Sequence, residues 1–399
     1  MSPLRIAIIG AGPAGLTLAR LLQVSKISCT IFELEPSAQG RDQGGTVDLH
    51  KRGGQSALLE AGLIEEFKKF SRPEGQFDKL VKFDGTLLLD EKAEMPERPD
   101  DEDDRPEIDR QKLRQMLLDS LLPDTIRWGK KLIAVEQSTP TSPKHNLHFA
   151  DSVENDFDLV VGADGAWSKV RSLLTNIKPH YSGVTAIEQW ALDVDQKQPW
   201  LSEYVGDGSM FMFDQGRAIM SQRNGNNSIR TYACVRQPQN WLQECGIDWS
   251  QPETAREKLV AGDGPFANCG DDLKRCILES KDNLVTRALY MLPVGVKWEH
   301  REGVTLIGDS AHLMTPFAGV GVNVAMVDAL ELSRAIVKAE VDHISLGPIL
   351  AAFEEAMFKR GEMFAGKTWK GLEGHFSATG GEERAAKVRA QIAASKARS

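Results

Sequence analysis

The first thirty-odd residues limit the fold more than any other stretch. Residues 6–9 are an unbroken apolar run, and Gly10-Ala11-Gly12-Pro13-Ala14-Gly15 follows at once. Residues 16–22 carry a helical spacing of leucines, and residues 28–32 lead to Glu33. An unbroken apolar run fits a parallel strand buried on both faces. The first glycine allows a tight turn, the second lets a ligand approach the backbone, and the third lets the helix pack on the strand. The helix start then offers N–H groups and a partial positive charge to a phosphate. An acid about twenty residues on completes a dinucleotide-binding βαβ unit. Gly10, Gly12, Pro13, Ala14 and Gly15 are the predicted pyrophosphate cradle, and Glu33 the predicted ribose acceptor. A carboxylate there repels a 2′-phosphate, so FAD or NAD is favoured over NADP at this position.

Composition narrows the class. Of 399 residues, 41% are hydrophobic and 26% charged, as in an ordinary globular protein whose core needs no metal or disulfide. The net charge of -9 and the lack of a long Lys/Arg run argue against nucleic acid. Five cysteines, an odd number without CxxC spacing, point to free thiols in a reducing compartment and away from zinc. The dense acidic run at 94–104 lacks the spacing of a calcium loop, so no metal is expected. No apolar stretch reaches membrane-spanning length, and a cytoplasmic location is expected.

Further along, the stretch GGTVDLH at 44–50 places Asp48 and His50 at the end of a short strand. Residues 76–90 read as a hairpin turning at Asp84-Gly85. A helix begins at Arg110, with Leu113, Leu117, Leu118 and Leu121 as its buried stripe. Arg110 stands at its entry and is a better ligand contact than Arg114, one turn on. Residues 128–137 and 145–149 read as a small hairpin layer. The apolar run at 157–162 opens into GADGAWSKVR, where Asp164 is either a helix cap or a ligand contact. From 187 to 291, strand-like runs recur at 186–194, 209–213, 218–222, 229–236 and 286–292, broken by Gly-containing turns, as in an antiparallel sheet. Helices are predicted at 253–259 and 271–279 between them. A further strand, 304–307, ends in GDSAHLMTPFAGVGVN. An acid at a strand end, Asp309, can hold a sugar hydroxyl, and glycines at a helix start let the backbone approach a phosphate or a ring. Helices are predicted at 324–339 and 346–360, with a charged, Ala-rich tail from 380 whose end frays.

Three stretches, GAGPAG with Glu33, GADGAWSKVR and GDSAHLMTPFAGVGVN, in this order and spacing resemble the single-component (class A) FAD-dependent monooxygenases of the aromatic-hydroxylase family. GGTVDLHKRGGQ, PEIDRQKLR and HLMTPFAG are similar to the tetracycline-inactivating branch. The resemblance covers roughly 4–360. It implies an α/β fold: a Rossmann-type FAD-binding domain (1–75, 103–180 and 284–340), an inserted antiparallel β-sheet substrate domain (76–102 and 181–283), and a C-terminal helical segment (341–399). It implies that Asp48, Arg110, Asp164 and Asp309 touch FAD. Pro316, Phe317 and Gly319 would face the flavin, and Gly319, Gly321, Val322 and Asn323 would turn backbone N–H groups to the ring. Arg41 would meet NADPH, and Glu188, Gln222 and Arg230 would line the substrate. The implied chemistry uses FAD, NADPH or NADH, and O₂. A flavin C4a-hydroperoxide delivers one oxygen atom to a bulky aromatic or polyketide-like substrate, and the enzyme is a monomer. One glycine fingerprint, with no second nucleotide fold, fits a transient hydride donor. Two positions depart from the family: Leu34 beside the ribose acid, and Val320 between the two glycines where a polar residue is usual. The rivals are a reductase, a halogenase and a flavin binder without turnover; the W-x-W-x-I-P stretch of halogenases is absent between Trp190 and Trp200.

Overall fold

The structure, a computed structural model, describes residues 4–40, 44–95, 104–140 and 142–396. Its organising layer is a five-stranded parallel sheet. The order is Val304–Leu306, Leu159–Gly162, Ile6–Ile9, Cys29–Phe32 and Ile126–Arg127. Ile6–Ile9 and Leu159–Gly162 are buried along their whole length, as their lack of polar alternation requires. Helix Pro13–Val24 packs on this sheet and against the long helix Gly321–Asp342.

The second layer is a seven-stranded sheet. Its order is Asn283–Met291, His180–Ala191, Ser228–Arg236, Arg217–Asn224, Ser209–Asp214, Asp78–Val81 and Leu87–Asp90. Every pairing in it is antiparallel except that of Ser209–Asp214 with Asp78–Val81. The hairpin predicted at 76–90 thus becomes the sheet's edge. Asn283–Met291 pairs along His180–Ala191, so this sheet runs past residue 283, where the substrate domain was expected to end. One face packs on helices Pro252–Val260 and Asp271–Glu279 through Ile229, Ala233, Leu259 and Ile277. The other face carries Phe213, Cys234, Met220 and Tyr232 towards Phe317 and the C-terminal helices. A ribbon of Thr46–Asp48 and Glu107–Asp109 lies at the junction of the two layers. A third, antiparallel sheet joins Leu132–Gln137, His145–Phe149 and Val153–Phe157.

One expectation at the C-terminus needs correction. The helix predicted at 346–360 continues to His375. The charged, Ala-rich tail forms a helix, Gly380–Lys396, docked on the edge of the second sheet, and its expected frayed end at 397–399 lies outside the described residues. Ala385, Val388 and Ile392 bury one face of it in the cluster of Leu80, Leu89 and Phe213. Arg389 pairs with Glu94 at 2.9 Å. Among the described residues no helix is long and apolar enough to cross a membrane, and no group of three or more His, Cys, Asp or Glu side chains is placed to hold a metal ion.

Candidate functional site

The glycines of the first turn divide into those the fold needs and one it leaves open. Gly10 has φ of +108°, and a Cβ there would lie 2.4 Å from the Ala163 carbonyl oxygen. A Cβ on Gly15 would lie 2.1 Å from the Gly10 oxygen. Gly12, at the start of helix Pro13–Val24, faces open space, with nothing within 4 Å of a Cβ. Gly321, first residue of the long helix, is open in the same way. The first bond of that helix runs from Val324 N to Val320 O, so the N–H groups of Gly321, Val322 and Asn323 come before it. Gly308 sits between these two helices: a side chain there would meet Ala325 at 3.1 Å and Ala14 at 3.4 Å. Two helix starts therefore converge on the strand end that carries Asp309.

Asp309 is open to the cleft, yet the surrounding protein desolvates it and raises its pKa; His312 and Arg110 partly offset this. Among the described residues, neither its carboxylate nor the guanidinium of Arg110 has a hydrogen-bond partner. Arg110 lies along Gly44, close enough for its charge to act on Asp309 and on Tyr232. An acid, a guanidinium and free helix-start donors around one cleft suit a ligand with phosphates and hydroxyls.

Other predicted residues are spent on the protein. Glu33 accepts from Ala11 N at 2.6 Å and from Glu35 N at 2.9 Å, which holds the glycine turn; each oxygen keeps a further lone pair. Asp164 caps the turn after its strand through Lys169 N at 2.7 Å, and its other oxygen takes the Ser310 hydroxyl at 3.1 Å. Arg171 donates to Ser310 O at 3.0 Å. These bonds lock the two later motifs together, so the Asp164 side chain is a brace for the cleft. Asn323 is a stitch: its amide donates to Asp48 O at 2.9 Å and its oxygen accepts from His50 N and Gly54 N. Only its backbone N–H is left without a partner in the helix. His312 pairs with buried Asp328 at 2.5 Å, and Arg360 donates to the same carboxylate, so this histidine is spent on holding the fold. Burial would depress His312, but the charge and bond of Asp328 outweigh it and raise its pKa.

The side chains of Phe317 and Val320 are both spent on packing. Phe317 turns its ring away, edge-on to Phe376 at 5.2 Å, inside the cluster under the second sheet. Val320 is buried with Met314, Val324 and Ala365, so its apolar side chain is a packing choice that removes nothing from the cleft. Pro316 and Gly319 are exposed at the turn, and Gly319 lies over Asp48. Leu34 is exposed beside Glu33. Arg41 lies outside the described residues. Arg114, passed over in favour of Arg110, clamps the first turn by donating to Ala11 O at 3.2 Å and to Glu35 at 3.1 Å. Its place beside Leu113 and Leu117 on the buried stripe was the available signal.

In the second sheet, Glu188 is held at 2.7 Å by both Arg230 and Arg287. Arg230 also stacks over Trp190 at 4.6 Å. The buried carboxylate of Glu188 is thus enclosed by protein partners. Gln222, opposite Arg230 in the pairing, is half-buried beside them. A polar cleft of about 310 Å³ opens between this wall and the first layer, lined by Gly44, Asp109, Trp190, Asn224 and Arg230.

A family model described as an FAD binding domain matches residues 4–268 and 280–343. Monooxygenase penA of Penicillium thymicola is 31% identical over 430 residues, covering 96% of this chain and 98% of that protein. The chain belongs to the FAD-dependent monooxygenase family. This monooxygenase is also similar to 6-methylsalicylate 1-monooxygenase atA of Aspergillus terreus, at 25% identity over 90% of this chain and 79% of the relative. Tetracycline destructase Tet(55) shares its fold, with a TM-score of 0.72 at 18% identity over 98% of this chain and 94% of that one.

Proposed function

We propose that this monooxygenase adds one oxygen atom to a bulky aromatic or polyketide-like small molecule, with NADPH or NADH as reductant. FAD would lie in the cradle of the first layer, and the second sheet would be the substrate wall. When bound, FAD supplies the redox chemistry that joins an oxygen atom from O₂ to the substrate. The supporting observation is the cleft at Gly308, where two helix starts, unpaired Asp309 and unpaired Arg110 come together.

The chain's own residues bind and orient. The N–H groups at Gly12, Pro13–Gly15 (proline excepted) and the charge of Arg110 would hold the pyrophosphate. Glu33 would accept from the adenosine ribose, and Asp309 from the ribityl hydroxyls. Backbone donors of Gly321, Val322 and Asn323 would face the ring at the Gly319 turn, above Asp48. Half-buried Tyr232, Met220 and Gln222 give the wall an apolar body with few polar handles, a surface suited to a flat ring system. The names of the two curated relatives support oxygen insertion, and 6-methylsalicylate in one of them supports an aromatic acceptor. Both layers come from one chain and its cysteines are free, which supports a monomer in a reducing cytoplasm.

Incubation with NADPH or NADH and a panel of phenols and aromatic polyketides tests the reading. A product heavier by one oxygen atom is expected; FAD-loaded enzyme that oxidises neither reductant with any panel member overturns it. Asp309→Ala is expected to lower bound FAD roughly ten-fold or more. Full FAD occupancy in that variant removes Asp309 from the site.

A further inference from the structure

Asp48 is the inner end of a run of alternating charges that crosses the molecule. Arg384, on helix Gly380–Lys396, donates to Oδ2 of Asp78 at 2.9 Å. That oxygen lies 3.7 Å from Nη2 of Arg105. Nη1 of Arg105 donates to Oδ2 of Asp48 at 3.1 Å, where Nε2 of His50 also arrives at 3.2 Å. A Cβ on Gly319 would stand 3.6 Å from the other Asp48 oxygen, and the Asp48 carbonyl receives Asn323 from the long helix. The run thus links the C-terminal helix, the second sheet, the loop before Glu107–Asp109, the junction ribbon and the Gly319 turn.

The side chains of Asp78 and Asp48 are buried, 8% and 12% exposed. In such surroundings, loss of one member strands its neighbour's charge. Across the ribbon Glu107 faces Asp48 in register, buried and taking the Thr46 hydroxyl at 2.6 Å. Burial and the Asp48 charge push Glu107 up to about 8. Burial would raise Asp48 as well, but the His50 bond and the Arg105 charge bring it below its ordinary value. Of this facing pair, Asp48, the residue beneath the turn, therefore carries the negative charge. Docking of the C-terminal helix does not need this run: Ala385, Val388, Ile392 and the Arg389–Glu94 pair hold it independently.

We propose that Arg384, Asp78 and Arg105 are positioning residues for Asp48, so that the seating of the C-terminal helix sets how firmly flavin is held at the Gly319 turn. This rests on the placement of the flavin at that turn given above.

The test measures FAD release from the loaded full-length enzyme by the gain in flavin fluorescence on dilution, together with the bound flavin spectrum and Tm. Arg384→Gln is expected to speed release roughly five-fold and shift the spectrum, with partial rescue in Arg384→Lys. Arg389→Gln, which frees the same helix from Glu94 and from the Leu88 carbonyl, is expected to leave release within about two-fold whatever its effect on Tm. Asp48→Asn speeds release, and adding Arg384→Gln to it changes nothing further, because the run no longer has an end to act on. Equal effects of Arg384→Gln and Arg389→Gln, in proportion to Tm, would reduce the run to helix docking and overturn the proposal. So would Asp48→Asn speeding release while Arg384→Gln does not. Unchanged release in Asp48→Asn overturns the placement of Asp48 at the flavin, and the proposal with it.

Discussion

The two layers of the molecule handle charge in opposite ways. In the parallel layer, Asp309 and Arg110 stand in a cleft without hydrogen-bond partners among the described residues, and Gly12 and Gly321 leave empty space at helix starts. In the antiparallel layer, Glu188 is enclosed by Arg230 and Arg287, and Arg230 is stacked on Trp190. Unsatisfied polar groups cost stability, so a fold retains them where a ligand completes them. The first layer is thus incomplete without its cofactor. The second is complete by itself and offers a shaped surface.

The glycine turn gives the sharpest division within the first layer. Gly10→Val forces a side chain onto the Ala163 carbonyl at a φ of +108°. A loss of roughly 4 kcal/mol or more is expected, seen as failure to fold or as a collapse of Tm. Gly12→Ala points a methyl into open space. Its folding cost without FAD is expected to stay near about 1 kcal/mol, while FAD binding falls sharply. Equal loss of stability in both variants would mean that Gly12 serves the fold and not the ligand.

Glu188→Gln probes the other layer. It leaves two guanidiniums facing each other, one of them buried, and is expected to cost roughly 3 kcal/mol in denaturant unfolding while FAD content stays full. Asp309→Ala is the mirror image: FAD is lost, and the apoprotein is not destabilised because a desolvated carboxylate has gone. Loss of FAD in Glu188→Gln would break the comparison.

The fold was legible where the pattern is local. Apolar runs ending in glycines at 6–15 and 157–165 became buried parallel strands, and Gly-containing turns spaced the antiparallel strands. What lay hidden is long-range. Arg384 meets Asp78 across 306 residues and Asn323 meets Asp48 across 275, and no local spacing records such a pairing. Side-chain direction was equally hidden: Phe317 and Val320 sit in a glycine-rich ligand turn, yet both point into packing. The C-terminal helix was masked by its alanines, whose buried spacing matters only once a sheet edge is there to receive it.

Stability should depend on pH through groups at the junction and beneath the cofactor turn. Glu107, at about 8, keeps a proton that the unfolded chain releases near 4.5, so its contribution is lost as pH rises from 4.5 to 8 and not beyond. His312 is raised, so its contribution is whole below 6.5 and lost as pH climbs through its folded value. Asp328 is lowered and loses its contribution only on acidification below 3.8. His145 and His375, depressed to about 4 by burial, act only below 6.5. Tm is therefore expected to fall from pH 6.5 upward. Glu107→Gln should flatten the part below pH 8, and His312→Gln the part set by the buried pair. A slope unchanged in both variants places the titrating group elsewhere.

The smallest effect is expected at Val320, in the Gly319 turn. Its side chain is 2% exposed and packs on Met314, Val324 and Ala365. Val320→Ala removes two methyl groups from that packing and should cost roughly 1–2 kcal/mol by denaturant unfolding. The backbone donors of Gly321 and Val322 stay where they are, so FAD affinity should change by less than about two-fold. A large loss of FAD with little loss of stability would mean that the Val320 side chain shapes the cleft after all. The boundary between the two treatments of charge would then run through the turn itself.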